Sequence, residues 1–471
     1  ALEVVFSPKV TDWQLSYDGR KKEPIHLPVK FPLLLAQGAE GIAVGLACKI
    51  LPHNFIELID GCISNLKGKQ VKIYPDFPTG GIADFSEYND GIRGGRIKVR
   101  ARINIDDKST LRISEIPHTT TTSSLIDSIL RANDKGKIKV KKVEDNTAEY
   151  VEILVHLASN VSPDKTIDAL YAFTDCEISI SPNSVVIQDD KPRFMGMSQM
   201  LLESAEQTRQ LLKLELEIKK AELEEQWHFA SLEKIFFENR IYRDIEECET
   251  WEEIIETIHK GLKPYTKHLI RPVTDDDVAR LTEIKIKRIS KFDSFKAEEL
   301  LSRIEEDIAQ VKTYLDNLTD YAIDYFKELK RKYAAGKERR TEIRQIETIN
   351  TALVAASNVK LYVDREEGFV GSGLKKADSE FVQEASDLDD IIIIRSDGTL
   401  LVTKMADKTF VGKGVLYINI WKKNDPRTIY NMIYQDGPAG SIYVKRFNVT
   451  SIIRDKEYPL TKGNAKSRVL H

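Results

Sequence analysis

The chain has 471 residues, more than one hydrophobic core normally holds, so two or three domains are expected. Hydrophobic residues at 41% supply real cores, and 31% charged residues point to a soluble protein with much exposed helix. A formal net charge of −4 excludes an overall basic protein, so any contact with nucleic acid has to come from basic residues gathered on one face. Four cysteines (Cys48, Cys62, Cys176, Cys248) lie far apart with no Cys-x-x-Cys pair, which indicates neither a zinc site nor a disulfide framework and fits reduced thiols. The chain has no apolar run of membrane-spanning length and no signal sequence, so a cytoplasmic protein with no membrane partner is expected. It begins at Ala1 without a methionine, and no helix cap precedes Leu2-Glu3-Val4-Val5-Phe6, so it reads as a piece of a longer protein.

Residues 1–195 mix short strand patterns with short helices. Arg96 to Ile105 alternates basic and apolar residues, as one half-buried strand should, and Leu111 to Ile116 reads as its hairpin partner. Pro117 breaks that strand, and the hydroxyl run Thr119 to Ser124 leads into a capped helix start at Leu125. From Met197 the pattern becomes helical, with Leu211, Leu214, Ile218 and Ala221 spaced by threes and fours. A second stripe of Leu301, Ile304, Ile308, Val311, Leu315, Leu318, Ala322, Tyr325 and Leu329 keeps the same alternation, the pattern of a coiled coil. Two such helices flanking a helical insert predict an antiparallel pair with a knob at its far end; two core helices of a bundle are the alternative. Asp275-Asp276-Asp277 after Thr274 reads as a helix N-terminus rather than a metal site. Beyond about residue 356 the chain turns to strands. One hairpin is signed by Asp397-Gly398 between Ile391–Ile394 and Leu400–Val402, and a looser copy by Asp436-Gly437. Repeated hairpins suggest a propeller-like array, too short here to close a ring.

Leu27 to Leu46, including Phe31-Pro32-Leu33-Leu34-Leu35-Ala36-Gln37-Gly38 and Gly41-Ile42-Ala43-Val44-Gly45, resembles the signature of the A subunits of bacterial type IIA topoisomerases, gyrase and topoisomerase IV. Ile50-Leu51-Pro52-His53-Asn54, Pro75 to Gly81, Glu115-Ile116-Pro117, Ile284 to Asp293 and Arg339-Arg340-Thr341-Glu342-Ile343 continue the match in order. The resemblance implies a multidomain α+β protein. Residues 1–20 are the remnant of, and link from, a winged-helix domain, and 21–195 form a mixed α/β tower domain. A long antiparallel coiled-coil arm follows over 196–345, with a helical dimerisation knob at about 228–295. A linker over 346–355 then leads to the start of an all-β pinwheel over 356–471.

The implied activity is ATP-dependent passage of one duplex through another, with this chain binding and bending the gate DNA and closing the dimer's exit gate. In the family a tyrosine beside an arginine attacks a DNA phosphate. It is expected upstream of Ala1, so no catalytic residue is assigned here, and Tyr17 is not the nucleophile. The resemblance places no cofactor or metal on this chain; Mg2+ and ATP belong to the partner B subunit. It implies double-stranded DNA, the B subunit of topoisomerase IV and a second copy of the chain as partners. Nothing between Val359 and Leu400 matches the Gln-Arg-Arg-Gly-Gly-Arg-Gly box of gyrase, which favours the topoisomerase IV type over gyrase.

Ile42 is the sharpest candidate, since the matching isoleucine of the family enters between two base pairs and bends the duplex. On its own the segment also reads as an ordinary buried strand. Lys30, Lys49, His53 and Asn54 bracket it as candidate phosphate or sugar contacts, with His53 equally a polar turn residue after Pro52. Thr119 and Thr120 either present hydroxyls and N–H groups to a phosphate or simply cap a helix. Arg93, Arg96, Lys98, Arg100 and Arg102 form a basic face or a solvated strand edge, and Lys135 to Lys142 a second basic ribbon. Arg339 and Arg340 lie near the DNA gate or complement the end of a long helix. A non-catalytic DNA-bending scaffold and an architectural coiled-coil protein without DNA remain as other classes.

Overall fold

The computed structural model describes residues 2–159, 161–188, 190–285, 294–347, 349, 359–375 and 377–471. Most of the motif Ile284 to Asp293 and most of the expected linker over 346–355 lie outside the described residues. The fold mixes helix and sheet, and its contacts divide it into two compact units. One comprises Ala1–Pro75, Asn89–Gly95 and Pro182–Arg339; the other comprises Asp76–Tyr88, Arg96–Ser181 and Arg340–His471. Among the described residues no helix is long and apolar enough to cross a membrane.

In the first unit a 42-residue helix, Met197–Glu238, is the long element. Its first turn is fixed by Asp90, whose carboxylate accepts the Ser198 N–H and the Ser198 hydroxyl (2.8 Å). Helix Phe55–Leu66 starts at Asn54, whose side-chain oxygen accepts the N–H groups of Ile56 and Glu57. The two helices approach closely at Gly61, where a Cβ would lie 2.5 Å from the Leu201 side chain. Further along, Leu216 and Leu223 bury against Ile304, Ile308 and Val311 of helix Ser294–Asp316. Trp227 Nε1 donates to Glu305 (2.8 Å) and Lys234 to Glu298 (3.0 Å), so the two helices run antiparallel.

The buried stripe of the long helix differs from the expected one. Leu212, Leu216 and Leu223 are buried, whereas Leu214 is 46% exposed and Ala221 faces solvent. Leucines at 211, 212, 214 and 216 permit several stripes, each rotated by about 100° per residue, and only the partner helix selects one. The second stripe holds, with Ile304, Ile308, Val311, Ala322 and Leu329 all buried. Its backbone does not run unbroken: Asn317 (φ −115, ψ 42) separates Ser294–Asp316 from Leu318–Tyr333 and donates its amide to the Thr313 carbonyl. Side-chain spacing carries across such a break, so the break leaves no mark on the apolar pattern.

Between the long helices, Ile241–Asp244, Trp251–Leu262 and Asp275–Thr282 enclose a core of Leu232, Phe236, Phe237, Ile258, Leu262, Val278 and Leu281. Thr274 caps the third of these helices in a reciprocal box with Asp277, so the triple-aspartate run is a helix N-terminus. Asp277 is buried and takes two bonds from Arg271 (2.6 and 2.8 Å), which also binds Glu225 of the long helix.

In the second unit, Arg96 to Ile105 is not one strand. Ile97–Arg100 joins a four-stranded sheet with Ile82–Asp84, Glu177–Ile180 and Glu342–Ile343, whereas Arg102–Asp107 pairs with Thr110–Glu115 in another. Ala101 lies between them and donates its N–H to the Cys176 carbonyl (2.7 Å). Ile97, Val99 and Ala101 are buried in alternation, but beyond the change of partner Ile103 is half-buried and Ile105 exposed, so the sequence alternation continues where the burial alternation stops. Helix Thr122–Asp134 covers the second sheet through Leu125 and Ile129.

Among the described residues the C-terminal strands form three sheets of four, four and three strands. The hairpin of Asp390–Arg395 and Thr399–Lys404 pairs Ile394 with Leu400 around Gly398 (φ +80), and Ile429–Gln435 pairs with Ile442–Asn448. Ile391 and Ile393 enter one apolar cluster and Ile392 and Ile394 another, so this strand is buried on both faces.

The Arg271–Asp277 cluster sets an acid limit on the insert. Burial by itself raises the Asp277 carboxyl, but bonds from Arg271 and Thr274 outweigh it and hold the group well below the usual carboxylate range. Its stabilisation is therefore present above the ordinary Asp range and is lost as pH falls from that range towards the group's own depressed value. His228, 1% exposed, with Nε2 3.6 Å from the Asp277 carboxylate and no hydrogen-bond partner on either ring nitrogen among the described residues, is held below its usual value by burial and then by the Arg271 charge, which outweigh the pull of Asp277. It stays neutral in the fold while the unfolded chain binds the proton first, so acid disfavours folding. Asp277→Asn is expected to cost about 2 kcal/mol in denaturant titration, discounted from a fully buried pair because Arg271 is part-exposed. The melting temperature is expected to fall between about pH 7 and pH 5, and to fall less in His228→Phe.

Candidate nucleic-acid interface

Strands Ala39–Ala43 and Leu46–Ile50 pair antiparallel, with Ala43 opposite Leu46 and Ala39 opposite Ile50. The hairpin is held at its base. Gly38 (φ +73) passes so close to the returning strand that a Cβ would meet the Ile50 carbonyl at 2.6 Å. Lys49 and Asn183 exchange backbone bonds (2.7 and 3.1 Å), and the Cys48 thiol reaches the Val185 carbonyl (3.3 Å). The Asn183 amide donates to the Ala47 carbonyl (2.5 Å), opposite Ile42, but the side chains beyond stand clear: Ile42 is 91% exposed, and residues 41–47 are exposed without interruption. An isoleucine left in water forgoes roughly 1.5–3 kcal/mol of burial. The fold supplies no reason for that residue at that place.

The other candidates of this unit separate by whether their polar groups are already engaged. Lys30, 7% exposed, bonds both oxygens of Glu215 (2.7 and 2.8 Å), while its carbonyl accepts the Tyr325 hydroxyl (3.1 Å). His53 is buried with Nδ1 3.2 Å from the Leu35 carbonyl, and Asn54 caps its helix and donates to the Lys337 carbonyl (2.9 Å). Arg339 grips Glu57 and donates to the Tyr74 and Pro75 carbonyls (2.9 Å each). These four secure the ground from which the hairpin rises. Lys49 is intermediate, with its ammonium 3.0 Å from Glu40, directly opposite on the hairpin. Arg93 lies exposed in a turn.

In the second unit Thr119 is exposed with φ +72, Thr120 donates its N–H to Pro117, and Thr121 caps helix Thr122–Asp134 through Ser124. Arg96 donates twice to the Ser179 hydroxyl (3.0 and 2.8 Å). Arg100 pairs with Glu177 (2.6 Å), and Arg102 with Glu115 and Glu342 (3.0 Å each), so two of the five cations of the expected basic face are already neutralised. Arg340 is exposed, with its N–H on Asp76 and its guanidinium on the Pro78 carbonyl (3.0 Å each). Sequence reasoning missed Glu40 and Asn183. Glu40 becomes visible once the hairpin register is known, but Asn183 comes from 133 residues beyond Ile50 and carries no local signal.

Residues 2–327 match the family described as the A subunit of DNA gyrase/topoisomerase IV, and residues 360–471 match the topoisomerase C-terminal domain of Bacteroidota. The chain is 37% identical over 465 residues to the DNA topoisomerase 4 A subunit of Borreliella burgdorferi, covering 98% of this chain and 74% of that one. It is 34% identical to the DNA gyrase A subunit of Chlamydia pneumoniae over 40% of this chain and 24% of that one. Against the DNA gyrase A subunit of Clostridium acetobutylicum it is 27% identical, over 74% and 43% of the two chains. With the first family match spanning most of its length, the chain belongs to the family of DNA gyrase and topoisomerase IV A subunits.

Proposed function

We propose that this type II topoisomerase A subunit is of the topoisomerase IV kind, that it binds and bends the gate duplex, and that it closes the exit gate of a dimer. The observation that carries the reading is the exposed Ile42 on a hairpin whose base is rigid. An apolar wedge unstacks one base step at a cost of a few kcal/mol, offset by the protein surface that the bent duplex then reaches. Lys49 and Arg93, with Thr119, Thr120, Arg96 and Arg340, contact phosphates. Lys30, His53, Asn54 and Arg339 act through the hairpin's footing. Residues 21–195 serve as the tower, 196–345 as a coiled-coil arm with a dimerising knob, and 356–471 as part of a β-pinwheel. Support comes from the antiparallel helices around a helical insert and from the three C-terminal sheets. A B subunit handles Mg2+ and ATP, while a domain preceding this one in the chain order of the family supplies the attacking tyrosine. A gyrase A subunit is the second reading, favoured by the gyrase relatives.

Ile42→Ala is expected to lengthen the end-to-end distance of bound duplex measured by fluorescence transfer; an unchanged distance overturns the wedge. Lys49→Ala is expected to reduce the log–log salt slope of binding by about 0.9, the contribution of one phosphate. Decatenation with ATP, Mg2+ and a topoisomerase IV B subunit is expected only when the arginine–tyrosine domain is joined ahead of residue 1. Activity of the chain as it stands would place the nucleophile within it.

A further inference from the structure

The hairpin tip carries a second apolar side chain that the wedge reading does not use. Ala43 pairs with Leu46, which leaves Val44-Gly45 as a two-residue loop. The backbone there demands only Gly45 (φ +81), around which an added Cβ would meet nothing within 4 Å. Val44 is 104% exposed, so its isopropyl group packs on none of the described residues. A β-branched apolar residue suits a turn poorly; Gly, Asn, Asp, Ser and Pro are the residues that turns favour. Loop geometry and burial both leave this valine without a role.

Its place relative to Ile42 suggests one. The two residues are two positions apart, Ile42 in the strand and Val44 first in the turn, so they lie at most about 6.6 Å apart along the chain. Base pairs stack about 3.4 Å apart, so a step opened by one inserted side chain separates its flanking pairs by roughly twice that. A side chain one such length beyond the wedge meets the rim of the opened step, where deoxyribose and base edges present apolar surface. Resting on the reading of Ile42 as the wedge, we infer that Val44 is a positioning residue for gate DNA. It packs against the sugar and base edge bordering the opened step, excluding water there and opposing restacking. Glu40 and Lys49, paired across the hairpin base, keep the tip's apolar end distinct from its charged end.

The test uses the whole chain and a duplex of about 30 base pairs. The duplex carries end labels for distance and 2-aminopurine at successive positions to report unstacking. Because Val44 touches nothing in the fold, Val44→Ala is expected to keep the wild-type melting temperature. It is expected to lower the bent, unstacked fraction by roughly three- to tenfold, the effect of losing two partly buried carbons. Val44→Ile should restore it, and Ile42→Ala should lose more than Val44→Ala. If Ile42→Ala abolishes bending while Val44→Ala matches wild type, the role of Val44 is overturned and the wedge stands. If neither changes the DNA, the wedge reading fails with it. A Val44→Ala variant that changes sedimentation and leaves DNA bending intact would make the tip a contact between copies of the chain, which also overturns the inference.

Discussion

The first unit depends on one constraint, that a 42-residue helix must bury a different face against a different partner along each part of its length. Such a helix, roughly 60 Å long, is stable only through tertiary packing. Its start packs on helix Phe55–Leu66 through the Gly61–Leu201 approach, its middle on Ser294–Asp316, and its end in the core of the insert. Helix Phe55–Leu66 begins at Asn54, two residues after Pro52, and the hairpin bearing Ile42 ends at Ile50. The footing of the hairpin is thereby tied to the same rod that carries the insert.

Charge is distributed to match. Few of the candidate basic residues are idle: Lys30, Arg339, Arg100 and Arg102 all hold carboxylates, and burial makes those pairs a matter of internal fit. What stands free of the fold at the hairpin is apolar. That arrangement suits a surface that deforms a duplex at many sequences, because insertion and phosphate contacts read little of the base code.

Legibility in the sequence followed the range of the interaction. The cap at Thr121, the box at Thr274 and Asp277, and the hairpin turn at Gly398 each depend on residues within a few positions of one another, and all were readable. The apolar stripe of the second long helix was readable for the same reason. The stripe of the first was not, because a run with leucine at four of six positions offers several faces and the choice belongs to a helix about ninety residues away. The strand from Arg96 reads as continuous because the alternation of residue types runs on past Ala101, although burial alternates only as far as Ala101.

The sequence alone determined the family, the order of helical and strand-rich regions, and the motif in which Ile42 sits, because motifs and periodicities are written in neighbouring residues. Tertiary structure decided which charges remain available. Lys30 and Lys49 look equivalent in the sequence, yet one is buried on Glu215 and the other pairs across an exposed hairpin with Glu40. It also decided that Ile42 is exposed rather than part of a buried strand. Exposure depends on what the rest of the chain fails to bring near, and no local pattern encodes that.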